Sequence, residues 1–117
     1  MPAPPPTLKR RRDFLACARA RRWAAPGLIL QARERAERPG DGIRVGYTCS
    51  KKLGKAVVRN RAKRRLRAAA AEVLTAGGRP GWDYVLIGRA GTTVARPFAD
   101  LVGDLRTALG RVHANRR

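Results

Sequence analysis

Residues 51–67, KKLGKAVVRNRAKRRLR, carry nine basic side chains and no acidic one. An α-helix lets such a run join a folded domain. At ~100° per residue, Val58, Ala62, Leu66, Ala69 and Val73 fall within an arc of roughly 80°, so a narrow apolar stripe can be buried while the charges stay outside. Arg59, Lys63 and Arg67 form a column at i, i+4 and i+8 along one flank of that stripe, and Arg61, Arg64 and Arg65 are assigned to the far side. Like charges four residues apart weaken an isolated helix by roughly a few tenths of a kcal/mol per pair. A polyanion lying along the column removes that penalty. The column is about 12 Å long, enough to follow several phosphates of a nucleic-acid backbone.

The whole chain points the same way. Its 117 residues suit one domain, and 27 Lys+Arg against 8 Asp+Glu give a formal net charge of +19. Self-repulsion on that scale opposes compaction until an anionic partner offsets it. Arginine supplies 22 of the 27 cations, and its planar fork makes bidentate phosphate contacts and stacks on bases. Scattered arginines such as Arg33, Arg79 and Arg111 are assigned to ordinary solvated surface. Alanine accounts for 20 of the hydrophobic residues and only six residues are aromatic, which allows one modest core.

Several function classes are disfavoured. The longest apolar stretch, Trp23 to Leu30, contains Pro26-Gly27 and is too short for a membrane span, and no apolar segment of a secretory signal precedes the first basic cluster. Cys17 and Cys49 lack metal-ligand spacing and are expected to be reduced, buried side chains in a cytoplasmic protein. His113 is the only histidine, and the carboxylates form no DxD or ExE pair. General acid–base or two-metal hydrolysis by the polypeptide is therefore not expected. Lys52-Leu-Gly-Lys55 lacks the spacing of a phosphate-binding loop.

Along the chain, MPAPPPT (1–7) suggests a disordered proline-rich arm, and residues 9–22 a first helix. Leu28-Ile29-Leu30 predicts a strand, and 36–42 a turn. Ile43, Val45, Tyr47 and Cys49 alternate with Arg44, Gly46, Thr48 and Ser50, the period of a further strand. The basic helix runs from Ala56 to about Ala76, where Gly77-Gly78 and Pro80 stop it. Trp82 to Ile87 predicts a buried strand. Pro97 suits the first turn of a closing helix whose Phe98, Leu101, Val102, Leu105, Leu109 and Val112 share one face. The result is an α+β sandwich of helix, two or three strands, helix, strand and helix, with a βαβ crossover around the basic helix that general rules make right-handed.

Ser50-Lys-Lys-Leu-Gly-Lys-Ala-Val-Val-Arg-Asn-Arg-Ala-Lys-Arg-Arg-Leu-Arg67 closely resembles the signature of the bacterial ribonuclease P protein component. Leu8-Lys-Arg-Arg-Arg-Asp-Phe14 resembles that family's first-helix motif, and Asp83-Tyr-Val-Leu-Ile-Gly-Arg89 its last strand. The resemblance implies a single αβββαβα domain over residues 8–113 with a central mixed sheet, a left-handed crossover and a basic tail at 114–117. It implies the accessory protein subunit of a tRNA 5′-processing endoribonuclease, partnered by the catalytic RNA and precursor tRNA, with no obligate protein partner. Catalysis then belongs to the RNA, with Mg2+ bound mainly by RNA and none required by the protein alone. The family motif maps catalytic-RNA binding onto Lys51, Lys52, Lys55, Arg59, Asn60, Arg61, Lys63, Arg64 and Arg67. A cleft between the first helix and the sheet, marked by Phe14, Ala18 and Gln31, holds the 5′ leader. Ala18 and Gln31 stand where the family often has aromatics. Stacking on an unpaired base contributes roughly 1–3 kcal/mol, so leader contact here leans on Phe14, polar groups and charge. A ribosomal protein or a DNA-compacting protein could share the charge and size; the motif separates the readings.

Overall fold

The computed structural model describes residues 3–35 and 42–114. In chain order it contains α1 (Arg11–Ala18), β1 (Arg21–Ala24), β2 (Leu28–Glu34), β3 (Arg44–Thr48), a 3-10 turn (Lys51–Leu53), α2 (Ala56–Gly77), β4 (Trp82–Gly88), α3 (Thr92–Ala95) and α4 (Phe98–Ala114). The strands form one sheet in the order β1-β2-β4-β3. β1 with β2 and β2 with β4 are antiparallel, and β3 with β4 is parallel, so the sheet is mixed and α2 is the crossover between its parallel pair. Most of the expected turn at 36–42 and the tail beyond Ala114 lie outside the described residues. Among the described residues, no helix is long and apolar enough to cross a membrane.

The period-two pattern of the strands sorts their side chains between two layers. Leu28, Leu30, Val45, Tyr84 and Leu86 face α2 and α4, where Leu66, Val73, Leu101 and Leu105 complete the main core. Ala69 and Ala70 of α2 are fully buried there. The opposite face carries a smaller cluster of Leu8, Cys17 and Val85, with Phe14 and Ile87 packed against it. This is where α1 lies. Gly46 of β3 makes the close approach workable, because a Cβ there would sit 2.4 Å from Cε1 of Phe14.

Two expectations for the N-terminal third are corrected. The first helix ends at Ala18, not near residue 22, and Arg21–Ala24 form an edge strand in register with β2. Pairing and side-chain contacts override local helix preference there. The Arg21 guanidinium donates to the Val112 carbonyl (2.8 Å) and lies 5.1 Å from the Trp82 ring centroid, while Arg111 lies 5.1 Å from that of Trp23. Arg111 is thus engaged on an aromatic face. The proline-rich arm is also placed from Ala3 onward. Val45 donates its N–H to the Pro6 carbonyl (2.8 Å) and Leu8 donates to the Val45 carbonyl (2.9 Å), which covers an otherwise open edge of β3. Thr75 Oγ1 donates to the Ala3 carbonyl at 3.2 Å, tying the arm across α2.

One buried carboxylate joins the three long strands. Asp83, on β4, is fully buried. Its Oδ1 accepts from Arg35 Nη1 (2.7 Å) and Arg44 Nε (2.8 Å). Its Oδ2 accepts from Arg44 Nη2 (2.7 Å) and, more weakly, from Arg33 Nη2 (3.5 Å). Arg33 is therefore structural and not the plain solvated charge expected. Arg44 also reaches Asp13 of α1 at 3.6 Å, extending the network to the helix layer. Burial alone would raise the Asp83 pKa, but the hydrogen bonds from Arg44 and Arg35 outweigh it and hold the carboxyl below its ordinary value. Such a group stabilises the fold fully above the unfolded carboxylate pKa of 3.8, and that stabilisation is lost as pH falls through the lower folded value.

Removing the carboxylate takes a buried counter-charge away from Arg35, which is itself buried, and from the half-buried Arg33 and Arg44. Asp83→Ala is expected to lower stability by about 3–5 kcal/mol in urea denaturation at pH 7. A variant as stable as the parent would show that the clasp contributes nothing net.

Candidate nucleic-acid interface

The interface is built from α2 upward. Its apolar arc is buried as expected, with Ala62, Leu66 and Ala69 inaccessible and Val73 nearly so. Arg59 lies about 20° outside the arc and is half-buried, Lys63 is half-buried, and Arg67 is exposed, which matches a column climbing away from the core. The column rises beside the outer end of β3. The Arg67 guanidinium sits 5.2 Å from the Tyr47 ring centroid. Burial raises the pKa of the Cys49 thiol, with Lys63 and Arg59 opposing the shift, so both cations lie near it. Tyr47, which stands outside the sequence motif, is thereby the aromatic base of the site. Its alternation with Val45 and Cys49 was the available signal. Burial pushes the Tyr47 hydroxyl up to about 12, and that oxygen has no hydrogen-bond partner among the described residues.

Around the column, Lys51, Lys52, Lys55, Asn60, Arg61 and Arg64 are all exposed. Lys51 and Lys52 ride on the 3-10 turn, which Ser50 caps by accepting from the Lys52 N–H at 3.3 Å. Gly54, at φ 134°, joins this turn to α2 in a conformation that other residues rarely adopt. Lys55 stands at the N-cap of α2 without a side-chain cap, and the first turn has no acidic residue. Free N–H groups and the positive end of the helix dipole thus add to the cationic field.

Arg65 departs from the expected arrangement. It is half-buried and turns inward, donating Nε to the Thr93 carbonyl (3.0 Å) and Nη2 to the Arg96 carbonyl. The helical wheel explains the correction, since Arg65 lies about 20° beyond the other edge of the apolar arc. It serves as a clasp on the short helix α3 and not as an outward charge.

The second predicted site lies on the opposite face of the sheet. Phe14 is half-buried against Gly46, and Ala18 follows one turn later on α1, exposed. Gln31 is half-buried and pairs in register with Val85, which in turn pairs with Gly46. Phe14 and Gln31 therefore border one face between α1 and the sheet, with Ala18 at its rim. The aromatic on this face is Phe14.

Residues with catalytic potential are committed elsewhere. Tyr84 accepts from the Arg79 N–H (2.9 Å), which leaves its hydroxyl proton for His113 Nε2 at 2.7 Å. Burial, helped by the charges of Arg79 and Arg21, pushes His113 down to about 4, so it is neutral at pH 7. Burial pushes the Cys17 thiol up to about 12. Among the described residues, no three His, Cys, Asp or Glu side chains gather where they could hold a metal ion.

A family model described as ribonuclease P matches residues 4–113. A ribonuclease P protein component from Ruegeria pomeroyi is 61% identical over 107 residues, covering 92% of this chain and 86% of the relative. One from Paramagnetospirillum magneticum is 54% identical over 110 residues, covering 92% and 82%. The Staphylococcus aureus RNase P protein structure superposes with a TM-score of 0.72 at 24% identity, covering 90% of this chain and 93% of that one, a likeness of fold. A Thermotoga maritima RNase P protein structure in complex with a fluorophenyl thiourea gives a TM-score of 0.70 at 26% identity, covering 90% and 98%.

A neutral His113 has a signature in stability. Its folded pKa lies below the ordinary imidazole value of 6.5, so the unfolded chain takes up a proton first as pH falls, and stability drops between about 6.5 and about 4. His113→Gln, which cannot titrate, is expected to lose that part of the slope in urea midpoints measured across this window. Identical pH dependence in the two proteins would contradict the assignment.

Proposed function

Because the chain belongs to the bacterial ribonuclease P protein family, we propose that the basic face of α2 grips the catalytic RNA while the cleft beneath α1 receives the 5′ leader of precursor tRNA. The protein serves in 5′ maturation of precursor tRNA as part of the ribonuclease P ribonucleoprotein. The observation that carries the interface is the Arg59–Lys63–Arg67 column, ringed by exposed motif residues in a segment with no acidic side chain. Phosphates along this face release their counter-ions and meet cations already held in place by the buried arc.

The basic face suits RNA and not a metal. Its donors are ammonium and guanidinium groups, which repel a divalent cation, so the residues present do not fit Mg2+. The magnesium of the holoenzyme is accordingly assigned to RNA phosphates, and the polypeptide contributes charge neutralisation and substrate affinity. On the other face, Phe14 offers the stacking surface, Gln31 a hydrogen-bonding edge, and Arg44 with Arg33 a cationic end fixed by Asp83. The free thiols of Cys17 and Cys49 fit a reducing cytoplasm.

Replacing Arg59, Lys63 and Arg67 together with alanine should weaken binding to the catalytic RNA and reduce the salt slope by roughly 0.7–0.9 for each phosphate no longer neutralised. An unchanged slope in filter binding across a salt series would place the column in solvent.

In the reconstituted holoenzyme, Phe14→Ala should weaken precursor tRNA by about fivefold or more while leaving mature tRNA unaffected. Equal weakening of both would make Phe14 a packing residue only.

A further inference from the structure

The outer face of α2, turned away from the core, holds a slot of about 260 Å³. Ala68 and Ala71 form its floor, Pro4 and Phe98 line it, and Arg64, Arg67 and Glu72 bring charge to it. The N-terminal arm supplies the Pro4 side because Thr75 holds the Ala3 carbonyl across the helix. The slot is continuous with the basic face: Arg67 belongs both to it and to the column above Tyr47. An apolar floor with a cationic rim calls for a flat, uncharged group attached to an anionic backbone.

Glu72 narrows the choice further. It is the only acidic residue between positions 42 and 82, and it is exposed. It forms no ion pair among the described residues, although Arg64 and Arg67 line the same slot. A carboxylate here repels phosphate, so a polyanion approaching the column gains from it only by presenting hydrogen-bond donors. The amino edges of cytosine and adenine, and the amino–imino edge of guanine, are such donors.

We propose that this slot takes one unstacked nucleobase of the catalytic RNA. The base lies against Phe98 and the alanine floor, Arg64 and Arg67 hold the flanking phosphates, and the Glu72 carboxylate accepts from the donor edge. Sequence-specific RNA contacts are commonly made this way, by splayed-out bases stacked on aromatic or guanidinium planes and hydrogen-bonded at their edges. The proposal rests on the reading that the α2 column grips that RNA, and it adds base recognition to what is otherwise backbone contact.

The test is filter binding of the full chain to its transcribed catalytic RNA across a salt series. Ala68→Leu fills the slot without altering charge; Ala68 is half-buried on the outer face, and circular dichroism with urea melting verifies the fold. It should cost about tenfold in affinity at an unchanged salt slope, because the base can no longer stack while its phosphates stay neutralised. Glu72→Ala provides the second arm, at an exposed site where alanine favours the helix. Removing a negative charge beside a polyanion should tighten binding if Glu72 touches nothing, whereas the slot predicts about fivefold weaker binding. If either folded variant binds as tightly as the parent, the proposal is overturned. The Arg59, Lys63 and Arg67 triple variant in the same series separates the causes: a reduced slope there leaves the interface standing without its base slot, and an unchanged slope removes both.

Discussion

Acidic side chains are scarce in this molecule, and three of them are spent inside the fold. Asp13, Asp83 and Asp104 are all buried, and each is paired with an arginine. Asp83 binds Arg33, Arg35 and Arg44 across three strands. Asp104 takes a bidentate hold of Arg96 and accepts the Gly27 N–H at 2.9 Å, joining the β1–β2 turn to α4. These carboxylates hold the layers together, and none is placed against the α2 column. Among the described residues no ion pair neutralises that column, which leaves its counter-charge to another molecule.

Alanine makes this division workable. Ala62, Ala69 and Ala70 let α2 settle closely on the sheet and α4, so a helix with many arginines and lysines can still bury one side. On the outer side, Ala68 and Ala71 leave room that longer residues would fill. The same choice of small residues therefore serves core packing on one face and an opening for a ligand on the other. The N-terminal arm links the two ends of the arrangement, pairing with the edge of β3 before leading into α1.

Much of this was legible from residue spacing. The α2 stripe, the strand at 82–88 and the face of α4 all follow strong periodic patterns, and the cationic column follows from the α2 wheel alone. What escaped depends on pairing between distant segments. Arg21-Arg22-Trp23-Ala24 shows no alternation of apolar residues, and its strand state comes from β2 alongside it. Asp83 stands next to aromatic and aliphatic neighbours, with nothing local to show that three arginines converge on it; the β2–β4–β3 register brings them there. The inward turn of Arg65 is obscured because a run of arginines hides which member sits nearest the apolar arc. The leader cleft was named through family likeness, and the register of Gln31 with Val85 and Gly46 then placed Gln31 and Phe14 on one face.

The central claim is that the α2 face is covered by RNA in the working ribonucleoprotein. Lysine acetylation read by mass spectrometry tests it directly, because four of the five lysines, Lys51, Lys52, Lys55 and Lys63, lie on or beside that face. Adding the catalytic RNA at physiological salt should suppress labelling at all four. Equal labelling with and without the RNA, under conditions where the complex forms, would contradict the account.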